Sequence, residues 1–446
     1  YICESPIGSN SYTCKGTGHE CYRPRFTWFV FREVIVHGWY GDLGPENITA
    51  EAVNSDVACI SRFSCSNELF NKLQAAYVRT QLDNFHGSIA SDCPHRERTP
   101  YTGDGALCMP AALAKFDASA LYNKWLADIR GAANPDTGHV PNSAPWQPGA
   151  GGGVAWGAAI AVMPWTFYEA CGDRKVLEDN FDAMLGYIRY LDTWATDDIV
   201  EKKDPTSPWQ NLGDWIPAAA EIPRVIVHTW YYWRCVDIAR RTASIIGRTA
   251  EAGCLAAREE AIRKAFHKRF YNEETGSYGP NGGNVFALAM GMPEERRERV
   301  VKALEGDIAA AGGHTDGGMI STAMLFSVLA ENGRTDLAYE IMDKDDIPSM
   351  GNWIAKGATT LWEYWDGAHS HNHPIFGSGF VWFYRHVAGL APDLDKPGYR
   401  HIVVTPKMPA KLASASYSFE TPYGRASVAW ERKGGGLSVD VEIPVG

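Results

Sequence analysis

The chain has 446 residues, 45% apolar and 21% charged, with a formal net charge of −11 and a pI near 5.7. That length suits two to three domains or one large barrel with appendages. The negative balance disfavours a polyanionic partner such as a nucleic acid, and no run of 18 apolar residues marks a membrane span.

The N-terminus reads Tyr1-Ile2-Cys3-Glu4, without an initiator Met or a basic-then-apolar leader. It reads as the start of a processed or trimmed chain, and the compartment is not legible from it. Cys3, Cys14, Cys21, Cys59 and Cys65 crowd the first 65 residues. They fit a disulfide if the protein is exported, whereas Cys93, Cys108 and Cys171 read as buried thiols. No Cys-x-x-Cys pair suggests a metal. Asn47-Ile48-Thr49 is a glycosylation sequon of the kind that also arises by chance.

Residues 1–60 read as β and turn. Phe26-Thr27-Trp28-Phe29-Val30-Phe31-Arg32-Glu33-Val34-Ile35-Val36 is aromatic and β-branched, and Gly38, Gly41 and Gly44 follow it. Such a piece is too short for a sheet domain of its own. From 61 to 393 the period changes to that of helices. Leu177, Phe181, Met184, Leu185, Ile188 and Leu191 recur at helical spacing, as do Leu121, Trp125 and Ile129. Similar segments lie near 66–84, 154–171, 225–247, 250–270, 317–332 and 374–389, and about a dozen helical stretches are expected. Gly- and Pro-rich loops such as Pro145–Gly153 separate them. The count suits an (α/α)6 barrel with functional residues in the loops at one mouth. A helical solenoid is the rival, but no fixed-period repeat is found. From 394 to 446 the pattern is β again. Strands are expected at 401–405, 416–419, 426–430 and 437–443, as a small β-sandwich packed on the barrel.

The chemistry to look for follows from the aromatic content of 12%, with 16 Trp and 20 Tyr. Rings of this kind stack on sugar faces or build a large core. Metal-free hydrolysis of a glycoside needs two carboxyl groups, one donating a proton and one activating water or attacking directly. Asp92-Cys93-Pro94-His95-Arg96-Glu97-Arg98-Thr99-Pro100-Tyr101-Thr102-Gly103-Asp104 packs three acids and two arginines between prolines. It reads as a structured loop entering a helix at about 105, or equally as an ion-paired loop with Asp104 as helix cap. Glu363 sits in Trp362-Glu363-Tyr364-Trp365, where an acid is either desolvated or exposed in an aromatic cleft. A surface Glu on a short helix is the bland alternative. Gly213-Asp214-Trp215 suits a hydroxyl held beside a stacking ring. His369, His371 and His373 alternate, but their surroundings lack ligand spacing, so one histidine donating to a sugar hydroxyl is favoured over a metal.

These residues resemble a known family. Asp92 to Asp104 is similar to the signature of glycoside hydrolase family 78, the inverting α-L-rhamnosidases. That signature runs approximately Asp-Cys-Pro-Gln-Arg-(Asp/Glu)-Glu-Arg-Leu-Gly-Trp-Thr-Gly-Asp-Ala. The resemblance continues in order through Gly213-Asp214-Trp215, Pro348-Ser349-Met350-Gly351, Gly357-Ala358-Thr359-Thr360-Leu361-Trp362-Glu363 and Ser370-His371-Asn372-His373. Arg23 to Thr27 and Phe31 to Val34 are similar, more weakly, to the strand segment that precedes the barrel in these enzymes. The resemblance implies an (α/α) barrel followed by a β-sandwich. It implies Glu97 as general acid and Glu363 as general base, with Asp92, Arg96 and Asp104 holding sugar hydroxyls. Asp214, Trp215, Trp362 and His373 would line the same subsite. It implies no cofactor, and a rhamnosylated glycoside or oligosaccharide as substrate. It leaves aglycone and oligomeric state open.

The chain departs from the signature by one residue fewer in the loop, by His95 for Gln and by Thr99-Pro100-Tyr101 for Leu-Gly-Trp. A reshaped sugar pocket is the implied consequence. Two other readings stay open on the residues alone. One is a different glycosidase or a polysaccharide lyase on the same barrel, with Tyr101, Arg98 and the histidines recruited to proton abstraction. The other is a carbohydrate-binding protein without turnover.

Overall fold

A computed structural model describes residues 10–31, 33–145, 153–202 and 208–445. Thirteen helices carry most of it. They are α1 (Glu68–Asp83), α2 (Thr102–Leu113), α3 (Ser119–Ala132), α4 (Val154–Gly157), α5 (Ala159–Cys171), α6 (Arg174–Asp192) and α7 (Arg224–Ile246). There follow α8 (Thr249–Phe270), α9 (Gly283–Met290), α10 (Glu294–Ala310), α11 (Met319–Glu331), α12 (Thr335–Met342) and α13 (Met350–Ala355). A last inner segment is 3-10 helical over Ile375–Phe380 and π-helical over Phe383–Ala388.

Local chemistry sets these elements. The Asp173 side chain accepts the Lys175 N–H at 2.9 Å to start α6. The helix then buries Val176, Leu177, Phe181, Met184, Ile188 and Leu191 along one stripe. α7 stops at Gly247, whose φ of 86° is reached cheaply without a Cβ.

Packing closes the inner helices into a ring. α2 lies against α5, α5 against α7, α7 against α9, α9 against α11, α11 against the 375–388 segment, and that segment against α2. α1, α3, α6, α8, α10 and α12 precede these partners as the outer layer. The six outer–inner hairpins make the expected (α/α)6 barrel, and each loop entering an inner helix emerges at the same mouth.

The β elements are β1 (Ser61–Cys65), the two-residue hairpins β2/β3 (Phe85–His86, Ile89–Ala90) and β4/β5 (Ala195–Thr196, Ile199–Val200), and the pair β6 (Leu390–Pro392) and β7 (Ile402–Val404). A four-stranded antiparallel sheet, in the order β1, β8 (Ser414–Thr421), β9 (Gly424–Lys433), β10 (Gly436–Glu442), completes them. It differs from the expected sandwich in being a single layer. Its inner face, with Ala415, Tyr417, Phe419, Ala426, Val428 and Trp430 buried, uses the barrel as the second layer. β1 crosses the expected domain boundary to pair with β8 in the register Phe63 to Tyr417. Tyr417 donates from its hydroxyl to the Ala114 carbonyl at 2.5 Å, and Trp430 donates from Nε1 to the Val387 carbonyl at 2.8 Å. Both acceptors lie at the C-terminal ends of inner elements, so the sheet closes the mouth opposite the loops.

The strand expected over 26–36 is not formed by its described residues, because no neighbouring strand takes up its backbone donors and acceptors. Phe26, Phe31, Val34 and Ile35 are exposed there. Cys14, Cys21, Cys59 and Cys65 are free thiols, so no disulfide forms among them; Cys3 and most of the Pro145–Gly153 loop lie outside the described residues. No helix among the described residues is long and apolar enough to cross a membrane.

If the sheet is held by burial of its inner face, Trp430→Ala lowers unfolding free energy by about 3–5 kcal/mol. The denaturant midpoint measures this, and an unchanged midpoint contradicts the docking described.

Candidate active site

Two loops at the open mouth supply the carboxyl groups. The first is closed on itself by Asp92, which donates its N–H to the Thr99 carbonyl and accepts the Thr99 N–H on Oδ1 at 2.8 Å. Thr102 N–H then reaches the Asn142 carbonyl, and α2 begins three residues earlier than the sequence suggests. Asp104 therefore lies in the first turn of α2, and Tyr101 takes the N-cap position. The second loop folds as a narrow turn. Glu363 N–H bonds to the Ser370 carbonyl at 2.8 Å, His373 N–H bonds to the Leu361 carbonyl at 2.9 Å, and Leu361 N–H bonds to Thr80 Oγ1 of α1. Glu363 is thus buried in a loop, at 6% exposure, rather than on a helix surface.

Arg96 joins the two loops. Its Nη2 donates to Glu97 Oε1 at 2.8 Å and to Glu363 Oε2 at 3.3 Å. The two bridged oxygens are therefore within about 6 Å of each other. Tyr101 donates its hydroxyl to the other Glu97 oxygen at 2.8 Å, and the Ser370 N–H donates to Glu363 Oε2 at 3.1 Å. Arg96 Nη1 meets His369 Nδ1 at 2.7 Å.

Burial dominates the electrostatics. It raises the Glu363 carboxyl above the usual range, against the Ser370 N–H and the Arg96 charge, which lower it. Burial, with help from the charge of Glu97, pushes Asp92 up to about 7. Asp104 rises well above the carboxylate range by burial and then by the charge of Asp92. His373 Nε2 lies 3.6 Å from Asp104 Oδ1. Burial, followed by Arg96 and His95, pushes His373 down to about 3. His373 is accordingly a neutral imidazole, and the short distance is not an ion pair.

Asp92, Arg96, Glu97, Asp104, Glu363 and His373 form one cluster. Asp214 does not join it through any of its bonds. It accepts from the Gly318, Ile320 and Ser321 N–H groups and from the Ser321 hydroxyl, capping α11. Gly318 permits this, since a Cβ there would sit 2.6 Å from the Asp214 carboxyl. Trp215 is half-buried and meets Trp209 edge-on at 6.2 Å. Trp362 is buried, with one face covered by His371 at 4.0 Å and 6°. The three alternating histidines diverge: His369 faces Arg96, His371 Nε2 meets the Gly367 carbonyl, and His373 faces Asp104. Among the described residues no group of three or more His, Cys, Asp and Glu is arranged to hold a metal.

The family model of the bacterial alpha-L-rhamnosidase 6 hairpin glycosidase domain matches residues 58–387, and that of the bacterial alpha-L-rhamnosidase C-terminal domain matches 389–446. The chain belongs to the α-L-rhamnosidases of glycoside hydrolase family 78. An alpha-L-rhamnosidase of Streptomyces avermitilis is 32% identical over 99% of this chain and 43% of its own length. The crystal structure of a Streptomyces avermitilis alpha-L-rhamnosidase complexed with L-rhamnose superposes with a TM-score of 0.81 at 29% identity. That match covers 88% of this chain and 38% of the other. The alpha-L-rhamnosidase from Dictyoglumus thermophilum gives a TM-score of 0.84 at 30% identity, over 92% and 47%. The chain spans about 43% of the length of the Streptomyces relative.

Two contacts of this rhamnosidase-family site escaped sequence reasoning. Tyr101 stands four residues after Glu97, a spacing that carries no signal in a loop. His369 belongs to a visible histidine block, but nothing in its spacing singles out the ring that meets Arg96.

Two stability measurements follow. Asp92 is protonated in the folded state up to about pH 7 and in the unfolded chain only to about pH 4. The folded state thus holds the extra proton, and this group's contribution declines as pH rises through that window. Asp92→Asn keeps an acceptor for Thr99 and removes the decline, so its Tm relative to the native protein rises from pH 5 to pH 8. Asp214→Ala strands buried N–H groups at the start of α11 and costs at least about 2 kcal/mol in denaturant unfolding. A destabilisation near zero contradicts the capping role.

Proposed function

We propose that the chain hydrolyses terminal α-L-rhamnosides by single displacement, with Glu97 as general acid and Glu363 as general base. The observation that carries this is the pair of carboxyl groups from two separate loops meeting on one guanidinium in a barrel of this family. Glu97 protonates the leaving oxygen while Glu363 takes a proton from water on the opposite face of the sugar. A base whose pKa is raised by burial has a greater driving force for that proton.

Asp92, Arg96, Asp104 and His373 hold the sugar hydroxyls. Trp215 and Trp362 form apolar walls, and Asp214 acts by fixing Trp215, whose carbonyl receives the Met319 N–H at 2.8 Å. The catalytic unit is the barrel of 61–393, and 394–446 is the domain that closes its far mouth. The substrate is a rhamnosylated glycoside or oligosaccharide.

Inversion needs carboxyl groups roughly 6.5–9.5 Å apart to admit the water. The Arg96 bridge limits one oxygen of each group, and these two lie within about 6 Å of each other.

A second assignment exchanges the two roles. It is favoured by the deeper burial of Glu363, since a raised pKa also suits an acid. Kinetics separate the two. With Glu97 as acid, Glu97→Gln loses on the order of a hundredfold or more in kcat/KM on alkyl rhamnosides and much less on nitrophenyl rhamnosides, which need little protonation. Glu363→Gln loses activity on both. The opposite pattern installs the exchanged roles, and full activity of both variants on both substrates rejects the pair.

A further inference from the structure

Arginine has only N–H donors and stays protonated in proteins. The 2.7 Å contact between Arg96 Nη1 and His369 Nδ1 therefore requires a lone pair on Nδ1. The imidazole must be neutral, with its proton on Nε2, and the residue is exposed. The backbone of His369 adds a second observation: its φ is +59°, in the left-handed region that few side chains adopt. That turn aims the imidazole at Arg96 and places the next N–H, of Ser370, on Glu363 Oε2. One residue thus connects to both halves of the carboxylate pair.

We propose that His369 is a positioning residue, whose neutral imidazole holds the Arg96 guanidinium in the orientation that spans Glu97 and Glu363. It touches neither carboxylate through its ring. It acts through Arg96, whose Nε has no partner and whose Nη1 would otherwise be free to swing. The inference rests on the hydrolase reading above for its kinetic consequence, though not for its geometry.

The groups around this contact fix the sign of its pH dependence. His369 faces the Arg96 guanidinium, the ring of Tyr364 at 4.6 Å and the charge of Glu363. Arg96 in turn faces Glu363, Glu97, Cys93 and Asp92, with His95 and His373 feeling its charge. Protonating His369 puts an N–H where the lone pair was and sets two cations against each other. Protonation therefore removes the hold on Arg96.

Two variants and one spectrum test this. Asn accepts the left-handed backbone and presents an amide oxygen where Nδ1 stood, without titrating. Gly accepts the backbone and presents nothing. On a nitrophenyl α-L-rhamnoside between about pH 5 and 8, His369→Gly is expected to lose on the order of tenfold or more in kcat/KM. His369→Asn is expected to stay within about threefold of the native enzyme at neutral pH. Nitrogen-15 NMR of the histidine rings, with His369 assigned by its disappearance in His369→Asn, is expected to show the Nε2–H tautomer in the native protein at neutral pH. A proton on Nδ1, or native kcat/KM and pH profile in His369→Gly, overturns the proposal. The spectrum needs no substrate, so a protein inactive on every rhamnoside counts against the hydrolase reading while the tautomer still decides this one.

Discussion

The open mouth of the barrel depends on how one guanidinium is shared. Two carboxylates about 6 Å apart repel by about 3 kcal/mol at an effective dielectric near 20. A guanidinium nitrogen about 3 Å from each attracts by about 5 kcal/mol per contact on the same scale, so the bridge turns a repulsive pair into a stable one. Burial adds to the demand, because Asp92 and Asp104 lie in the same cluster and both are raised above the usual carboxylate range. The site is therefore held together by charge, with burial favouring the neutral forms of two of its four acids.

The scaffold supports this without sharing in it. All the loops that carry the cluster enter inner helices, so the acids gather where helix N-termini point backbone N–H groups toward the mouth. Asp214 and Asp104 use those termini directly, one as a cap for α11 and one in the first turn of α2. The far mouth is sealed by the four-stranded sheet through Tyr417 and Trp430.

Much of this was legible in the sequence. The apolar stripe of α6 and the alternation in β8 and β9 follow directly from helical and strand periods, and Glu97 and Glu363 stand out because acids among prolines or tryptophans need a reason. The misses have physical causes. Residues 26–36 have strand composition, but a strand exists only where a partner takes its hydrogen bonds. The sandwich reduced to one layer because the barrel supplied the second, and a tertiary contact of that kind leaves no local trace. Asp214 looks like a ligand beside Trp215 in sequence, yet its four bonds go to α11 about a hundred residues away. The contacts of Arg96 with Glu363 and His369 likewise span more than 260 residues and carry no spacing signal.

The central claim is that Glu97 and Glu363 act together on opposite faces of a terminal rhamnose, one as acid and one as base. The most direct measurement is proton NMR of the anomeric signal during the first minutes of α-L-rhamnoside hydrolysis, before mutarotation. The account predicts that β-L-rhamnose appears first and the α anomer follows by equilibration. Initial release of the α anomer would contradict it and make one of the two carboxylates a nucleophile, at a spacing closer to that of the resting bridge.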